Sequence, residues 1–216
     1  MAWELVDSAG PPGSLLELYR KDGAFMIRAN GLELMNGFQH ESETVFGRMA
    51  AELAKGAAPR ILIGGLGLGY TLAALSSALG NRGQITVAEF SPAIIDWFCV
   101  HVGPQVLERL PENLSIIEAD VVAHLQSGKQ YDLIALDIDN GPEPLVRPEN
   151  GALYSPVGLQ SLRRSLAAEG TVLLWSGFEA PEFEERAKQT GFTVARRTIA
   201  NGARPELEHS LYILTT

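Results

Sequence analysis

The chain is poor in cysteine, in long apolar runs and in clustered positive charge. Its single cysteine, Cys99, excludes an intramolecular disulfide and a zinc site built from cysteines. No apolar stretch approaches the ~20 residues that span a bilayer, so no membrane partner is expected. The N-terminus, Met1-Ala2-Trp3-Glu4-Leu5-Val6-Asp7, lacks the basic region and long apolar core of a secretory signal, and a cytoplasmic protein is expected. Basic residues number 17 against 26 acidic ones, a net charge of −9. Arg163-Arg164 and Arg196-Arg197 are isolated pairs, and without a basic cluster nucleic acid is not an expected partner. Acidity of this order favours solubility and small cationic ligands.

What is present is an ordinary globular composition, 46% hydrophobic and 20% charged over 216 residues, the length of one domain with an appendage. Short apolar pieces at Trp3–Asp7, Leu15–Arg20, Phe25–Ala29 and Leu32–Met35 are separated by Gly10-Pro11-Pro12-Gly13, Asp22-Gly23 and Asn30-Gly31. The last two dipeptides are hairpin signals. This pattern predicts an antiparallel meander, followed by a helix over Glu41–Lys55 with Val45, Met49 and Leu53 on one face. Residues 1–58 would form this unit and residues 59–216 a second.

From Arg60 strands and helices alternate. Strands are predicted at Ile61–Ile63, Gln84–Ala88, Leu114–Ile117, Tyr131–Leu136, Thr171–Trp175, Phe192–Arg197 and Leu211–Leu214. Helices are predicted at Tyr70–Leu79, Pro92–Val102, Val121–Gln126, Pro156–Ala167 and Pro181–Thr190, with a loop over Asn140–Gly151. Such alternation builds a doubly wound, mostly parallel α/β sheet covered on both faces, here with an antiparallel pair at one edge.

The first strand runs into Gly64-Gly65-Leu66-Gly67-Leu68-Gly69. Glycines there let the backbone turn tightly against a ligand at a helix N-terminus. The dinucleotide fingerprint G-x-G-x-x-G does not fit, because its third position falls on Tyr70 or Leu72. The spacing resembles the first motif of class I S-adenosylmethionine-dependent methyltransferases. Glu89 ends the second strand, where an acid can accept from both hydroxyls of a ribose. Asp120 follows the third strand, placed either to meet an adenine amino group or to cap the next helix. Asp137-Ile138-Asp139-Asn140-Gly141-Pro142 closes the fourth strand, at the edge where open parallel sheets hold ligands. Two carboxylates there can bind a cationic amine, bind a metal or accept a proton, and Asp139-Asn140-Gly141 also reads as a turn. The next strand ends in Trp175-Ser176-Gly177, which supplies no further oxygen ligands in acidic form, so no metal is expected. Cys99, inside Trp97-Phe98-Cys99-Val100, reads as a buried small hydrophobe. His101, His124 and His209 have no ligand-like spacing.

Taken together, these motifs resemble the spermidine synthase-like aminopropyltransferases, a branch of the class I methyltransferase fold. That family begins with a β-meander. Its glycine motif Gly-Gly-Gly-Asp-Gly-Gly lies where Gly64, Gly65, Gly67 and Gly69 stand, and its ribose acid and third-strand Asp match Glu89 and Asp120. Asp137 matches the first acid of its fourth-strand run, and Leu153-Tyr154-Ser155 its later aromatic segment. Gln39-His40-Glu41 lies in the place of its Tyr-His-Glu. Three positions depart. Gly67 replaces the Asp that holds the donor's aminopropyl arm, Gln39 replaces Tyr, and Asn140 stands where a second acid is expected beside Asp139.

The resemblance implies transfer of an alkyl group, aminopropyl or methyl, from S-adenosylmethionine or its decarboxylated form to a small amine. Asp137 would act on the amine, and His40, Glu41, Asp139 and Tyr154 would contact it, Tyr154 covering the cleft with its ring and hydroxyl. A methyltransferase of unknown acceptor, a catalytically silent nucleoside-binding or dimerisation module, and a homodimer are also compatible with these residues.

Overall fold

The computed structural model describes residues 2–143, 148–200 and 208–216. Residues 144–147 of the loop expected over Asn140–Gly151 lie outside the described residues.

Four strands, β1 (Glu4–Ala9), β2 (Leu16–Lys21), β3 (Ala24–Ala29) and β4 (Leu32–Asn36), pair antiparallel in chain order. Asp22-Gly23 and Asn30-Gly31 all adopt positive φ, the geometry that matches a two-residue hairpin to strand twist. Helix α1 (Glu41–Leu53) follows. Its buried residues are Phe46, Gly47, Met49, Ala50 and Ala51, whereas Val45 is exposed, so the expected Val45–Met49–Leu53 face is corrected by a rotation of the helix. The cause is close packing on α2 (Tyr70–Leu79): a Cβ on Gly47 would come 2.4 Å from the Thr71 carbonyl oxygen. Only a small-residue stripe lets the two helices approach that closely.

The remaining elements are β5 (Arg60–Gly64), β6 (Gln84–Glu89), α3 (Pro92–Trp97), a π-helical turn (Phe98–Val102), α4 (Gly103–Val106), β7 (Leu114–Glu118), α5 (Val121–Leu125), β8 (Tyr131–Leu136), a 3₁₀ segment (Pro148–Tyr154), α6 (Pro156–Arg164), β9 (Leu166–Ser176), α7 (Pro181–Gln189), β10 (Thr193–Ala200) and β11 (Glu208–Thr215). Pro104 has no N–H to continue the α ladder, and the Gly103 N–H bonds back to the Phe98 carbonyl instead. This turn directs Trp97, Phe98 and Val102 inward and leaves Cys99 exposed, contrary to its expected burial. The helix expected to reach Ala167 stops at Arg164, because Leu166 already pairs with Tyr131 in the sheet.

The seven strands run in the order β10-β11-β9-β8-β5-β6-β7. β9, β8, β5, β6 and β7 are mutually parallel, while β11 is antiparallel to both β9 and β10. The expected antiparallel pair therefore forms at one edge of the sheet, with β10 outermost and β11 between it and β9. Alternate residues of β5 feed two cores. Ile61 and Ile63 join α1, α2, the π turn and Leu18, Phe25 and Ile27 of the N-terminal sheet, and Leu62 joins α6, α7 and Tyr212. Strand order reverses at β5, which leaves a crevice beyond the carboxyl ends of β5 and β8.

Candidate functional site

The crevice opens into a cleft of about 700 Å³, within the usual range for small-molecule sites. Its floor is the turn after β5. Gly65 adopts φ +92°, and a Cβ there would lie 2.2 Å from the Asp137 carbonyl oxygen, so no other residue fits. This brings the glycine loop and the end of β8 into direct contact. Gly67 and Gly69 also line the cleft; Gly64 does not, and packs against Leu136, Ile138 and Val121.

Glu89 is 8% exposed and lines the cleft. The Leu66 N–H donates to one of its oxygens at 2.9 Å and the Ser91 N–H to the other at 2.8 Å. The carboxylate thus ties the glycine loop to the segment after β6. Asp120 caps α5, accepting from Val122 N–H at 2.8 Å and Ala123 N–H at 3.4 Å, and also lines the cleft. The capping reading of Asp120 is realised, and the same residue stands at the cleft wall.

Asp137 accepts a hydrogen bond from the Thr71 hydroxyl at 2.8 Å. Enclosure by protein raises its pKa from 3.8 to about 7; the Glu43 charge adds to the rise and the Thr71 hydroxyl opposes it. Part of its surface still opens on the cleft. Asp139, at φ +54°, accepts from the backbone and side-chain nitrogens of Asn140, and Gly177 N–H donates to the Asn140 carbonyl. The turn expected at Asp139-Asn140 forms and lines the cleft.

Three of the expected residues do not line this cleft. Tyr154 is fully buried under the cleft rather than covering it, its ring edge-on to Phe183, because the 3₁₀ segment carries it into the core. Its hydroxyl has no hydrogen-bond partner among the described residues, and burial raises its pKa. His40 stacks on Tyr70 at 3.9 Å and lies behind the cleft wall that Tyr70 forms. Glu41 is exposed and reaches a smaller neighbouring cavity.

Glu43 lines the cleft instead of Glu41. It lies four residues before the buried Gly47 and seven before Ala50, so the rotation of α1 that buries those residues also carries Glu43 to the cleft. Thr71, Met35 and Trp175 were not singled out either. Met35 reaches over from β4, and a Cβ on Gly67 would meet its sulfur at 2.8 Å. The lining carries Glu43, Glu89, Asp120, Asp137 and Asp139 and, among the described residues, no Lys or Arg. Also among the described residues, no three His, Cys, Asp or Glu side chains converge to hold a metal ion, and no helix is long and apolar enough to cross a membrane.

The chain matches no protein-family model and no curated protein. Solved structures are similar in fold. A spermidine synthase in complex with the transition-state analogue AdoDATO superposes at TM-score 0.74 with 13% identity, covering 98% of this chain and 72% of that one. A spermidine synthase from Thermotoga maritima gives 0.73 and 14%, with the same coverage. The Rossmann-like sheet with its inserted antiparallel strand, preceded by a four-stranded antiparallel sheet, is a spermidine synthase-like fold.

Proposed function

We propose that the protein transfers an alkyl group from a sulfonium nucleoside, S-adenosylmethionine or its decarboxylated form, to a small amine. The observation that carries this reading is the convergence of Glu89, the glycine loop and Asp137 on one cleft at the strand-order reversal. Glu89 would accept from the ribose hydroxyls and Asp120 would meet the adenine. The donor's sulfur would then lie over Gly67, near Asp137.

The acceptor nitrogen uses its lone pair to form a bond to the carbon on sulfur. The carbon–sulfur bond breaks with its electron pair going to sulfur, which leaves as a neutral thioether and needs no acid. The nitrogen gains a positive charge and gives its proton to Asp137, whose affinity for protons is matched to neutral pH. The rest of the catalytic contribution is orientation in a cleft lined by fixed backbone.

A methyl rather than aminopropyl donor is the second reading. It is favoured by the absence of a carboxylate at Gly67 and by the Met35 sulfur against it. Losing one charged hydrogen bond of roughly 1.5–3 kcal/mol removes about ten- to a hundredfold of preference for the decarboxylated donor. Calorimetry with S-adenosylmethionine, its decarboxylated form and methylthioadenosine tests both readings. Glu89→Ala should weaken all three alike, by about 1.5–3 kcal/mol. Undiminished methylthioadenosine affinity in that variant contradicts the nucleoside site, and a thousandfold preference for the decarboxylated donor contradicts the methyl reading.

A further inference from the structure

The cleft does not end at Asp137. A cavity of about 160 Å³ adjoins it, and the two share Leu34, Met35, Glu43 and Trp175. These residues come from β4, the first turn of α1 and the end of β9. The smaller cavity is too small for a nucleoside and large enough for an unbranched chain of a few heavy atoms. Among the described residues, Glu43 is the one charged residue that the two spaces share. Its charge acts on Asp137 from one side and on His209 of β11 from the other, so it stands between the two spaces.

Resting on the reading proposed above, we infer that Glu43 is a specificity-determining residue that holds the acceptor's second, non-reacting nitrogen as an ammonium at this junction, with the neutral reacting nitrogen facing Asp137 and any further chain in the smaller cavity. Two carboxylates facing one space resist joint ionisation, and a cation placed between them relieves that repulsion. A neutral alcohol of the same length does not. The site would therefore select charge first and then length. A purely structural Glu43 would do no more than favour the N-terminus of α1, with the Ser42 hydroxyl donating to it.

The test is titration of 1,3-diaminopropane, putrescine and spermidine into the methylthioadenosine-loaded protein, comparing wild type, Glu43→Gln and, as a charge control on the solvent face of α1, Glu52→Gln. Glu43→Gln should lose about ten- to a hundredfold in amine affinity, the size of one charge-assisted hydrogen bond. Its methylthioadenosine affinity should stay unchanged, which also shows that it folds. Glu52→Gln should match wild type. In the transfer assay the loss should fall on the amine KM. The pH at which turnover rises should also move down, because one negative charge facing Asp137 is gone. The other ionisable groups around this pair, Glu33, Glu41, Asp139, Tyr154 and His209, are the same in both proteins. Equal amine affinity in wild type and Glu43→Gln overturns the role of Glu43 and leaves the transfer reading standing. Wild-type protein that binds methylthioadenosine but none of the amines overturns both this role and the amine acceptor.

Discussion

At the scale of single residues, Asp137 is subject to opposing demands. A general base must be ionised to work, yet its enclosure favours the protonated form and raises its pKa from 3.8 to about 7. In the unfolded chain it titrates at its ordinary value. The stability it contributes is therefore complete below about pH 3.8 and is lost as pH rises through about 7. Activity runs the other way and should rise with pH through the same window. Asp137→Asn keeps the shape, including a carbonyl that can accept from Thr71, and removes the charge. Its melting temperature should gain on that of wild type between pH 5 and pH 8, while turnover falls by about 10²–10⁴-fold. An Asn variant that turns over an accepted amine at the wild-type rate rules out the base role. The acid at the end of β8 was legible because a polar residue ending an apolar run marks a strand terminus. Its perturbed proton affinity was not, since it comes first from burial by elements distant in the chain and then from Glu43, 94 residues away.

At the scale of elements, the N-terminal hairpins do more than precede the main sheet. Gly10, Gly13 and Ser14 of the β1–β2 loop line the cleft, as does Asn30 of the β3–β4 turn. Asn30 ties the two together: its side-chain nitrogen donates to the Gly13 carbonyl at 3.1 Å and its side-chain oxygen accepts from Leu15 N–H at 3.0 Å. Phe90 and the residues leading into α3 line the same cleft. Asn30→Gly keeps the left-handed backbone at φ +50° and deletes only the clamp. We expect about 1–2 kcal/mol less stability in urea, from two exposed hydrogen bonds, together with several-fold weaker methylthioadenosine binding. Wild-type nucleoside affinity in this variant would show that the hairpin loop takes no part in the site. The turn at Asn30-Gly31 could be read from the dipeptide, but its bond to Gly13 depends on the pairing of β2 with β3.

At the scale of the whole molecule, the antiparallel and parallel sheets share one hydrophobic cluster. Leu18, Phe25 and Ile27 pack with Phe46, Leu72 and Phe98, and the Trp97 indole N–H donates to Asp7 of β1 at 2.8 Å. The cavity junction at Met35 and Glu43 depends on that docking. Phe25, 4% exposed, tests it: Phe25→Ala should cost about 3–5 kcal/mol. Denaturant unfolding should remain a single transition in which far-UV signal and methylthioadenosine binding are lost together. Two separated transitions in the wild-type protein would show that the sheets fold as independent units.

The local pattern of residues by itself determined the alternating elements, the hairpin turns, the glycine loop and the acids that end β6 and β8. Period-two and period-3.6 hydrophobicity, turn dipeptides and strand-end polarity are properties of short segments. Tertiary structure alone decided that β11 inserts between β9 and β10, that Tyr154 is buried beneath the cleft, and that Met35, Trp175 and Glu43 meet at one junction. The helical period put Val45, Met49 and Leu53 on the inward face of α1, and packing turned the helix so that Val45 is exposed and Glu43 lines the cleft. Which faces meet depends on packing between elements distant in the chain, such as the close approach of α1 to α2 at Gly47, and no short-range pattern encodes it.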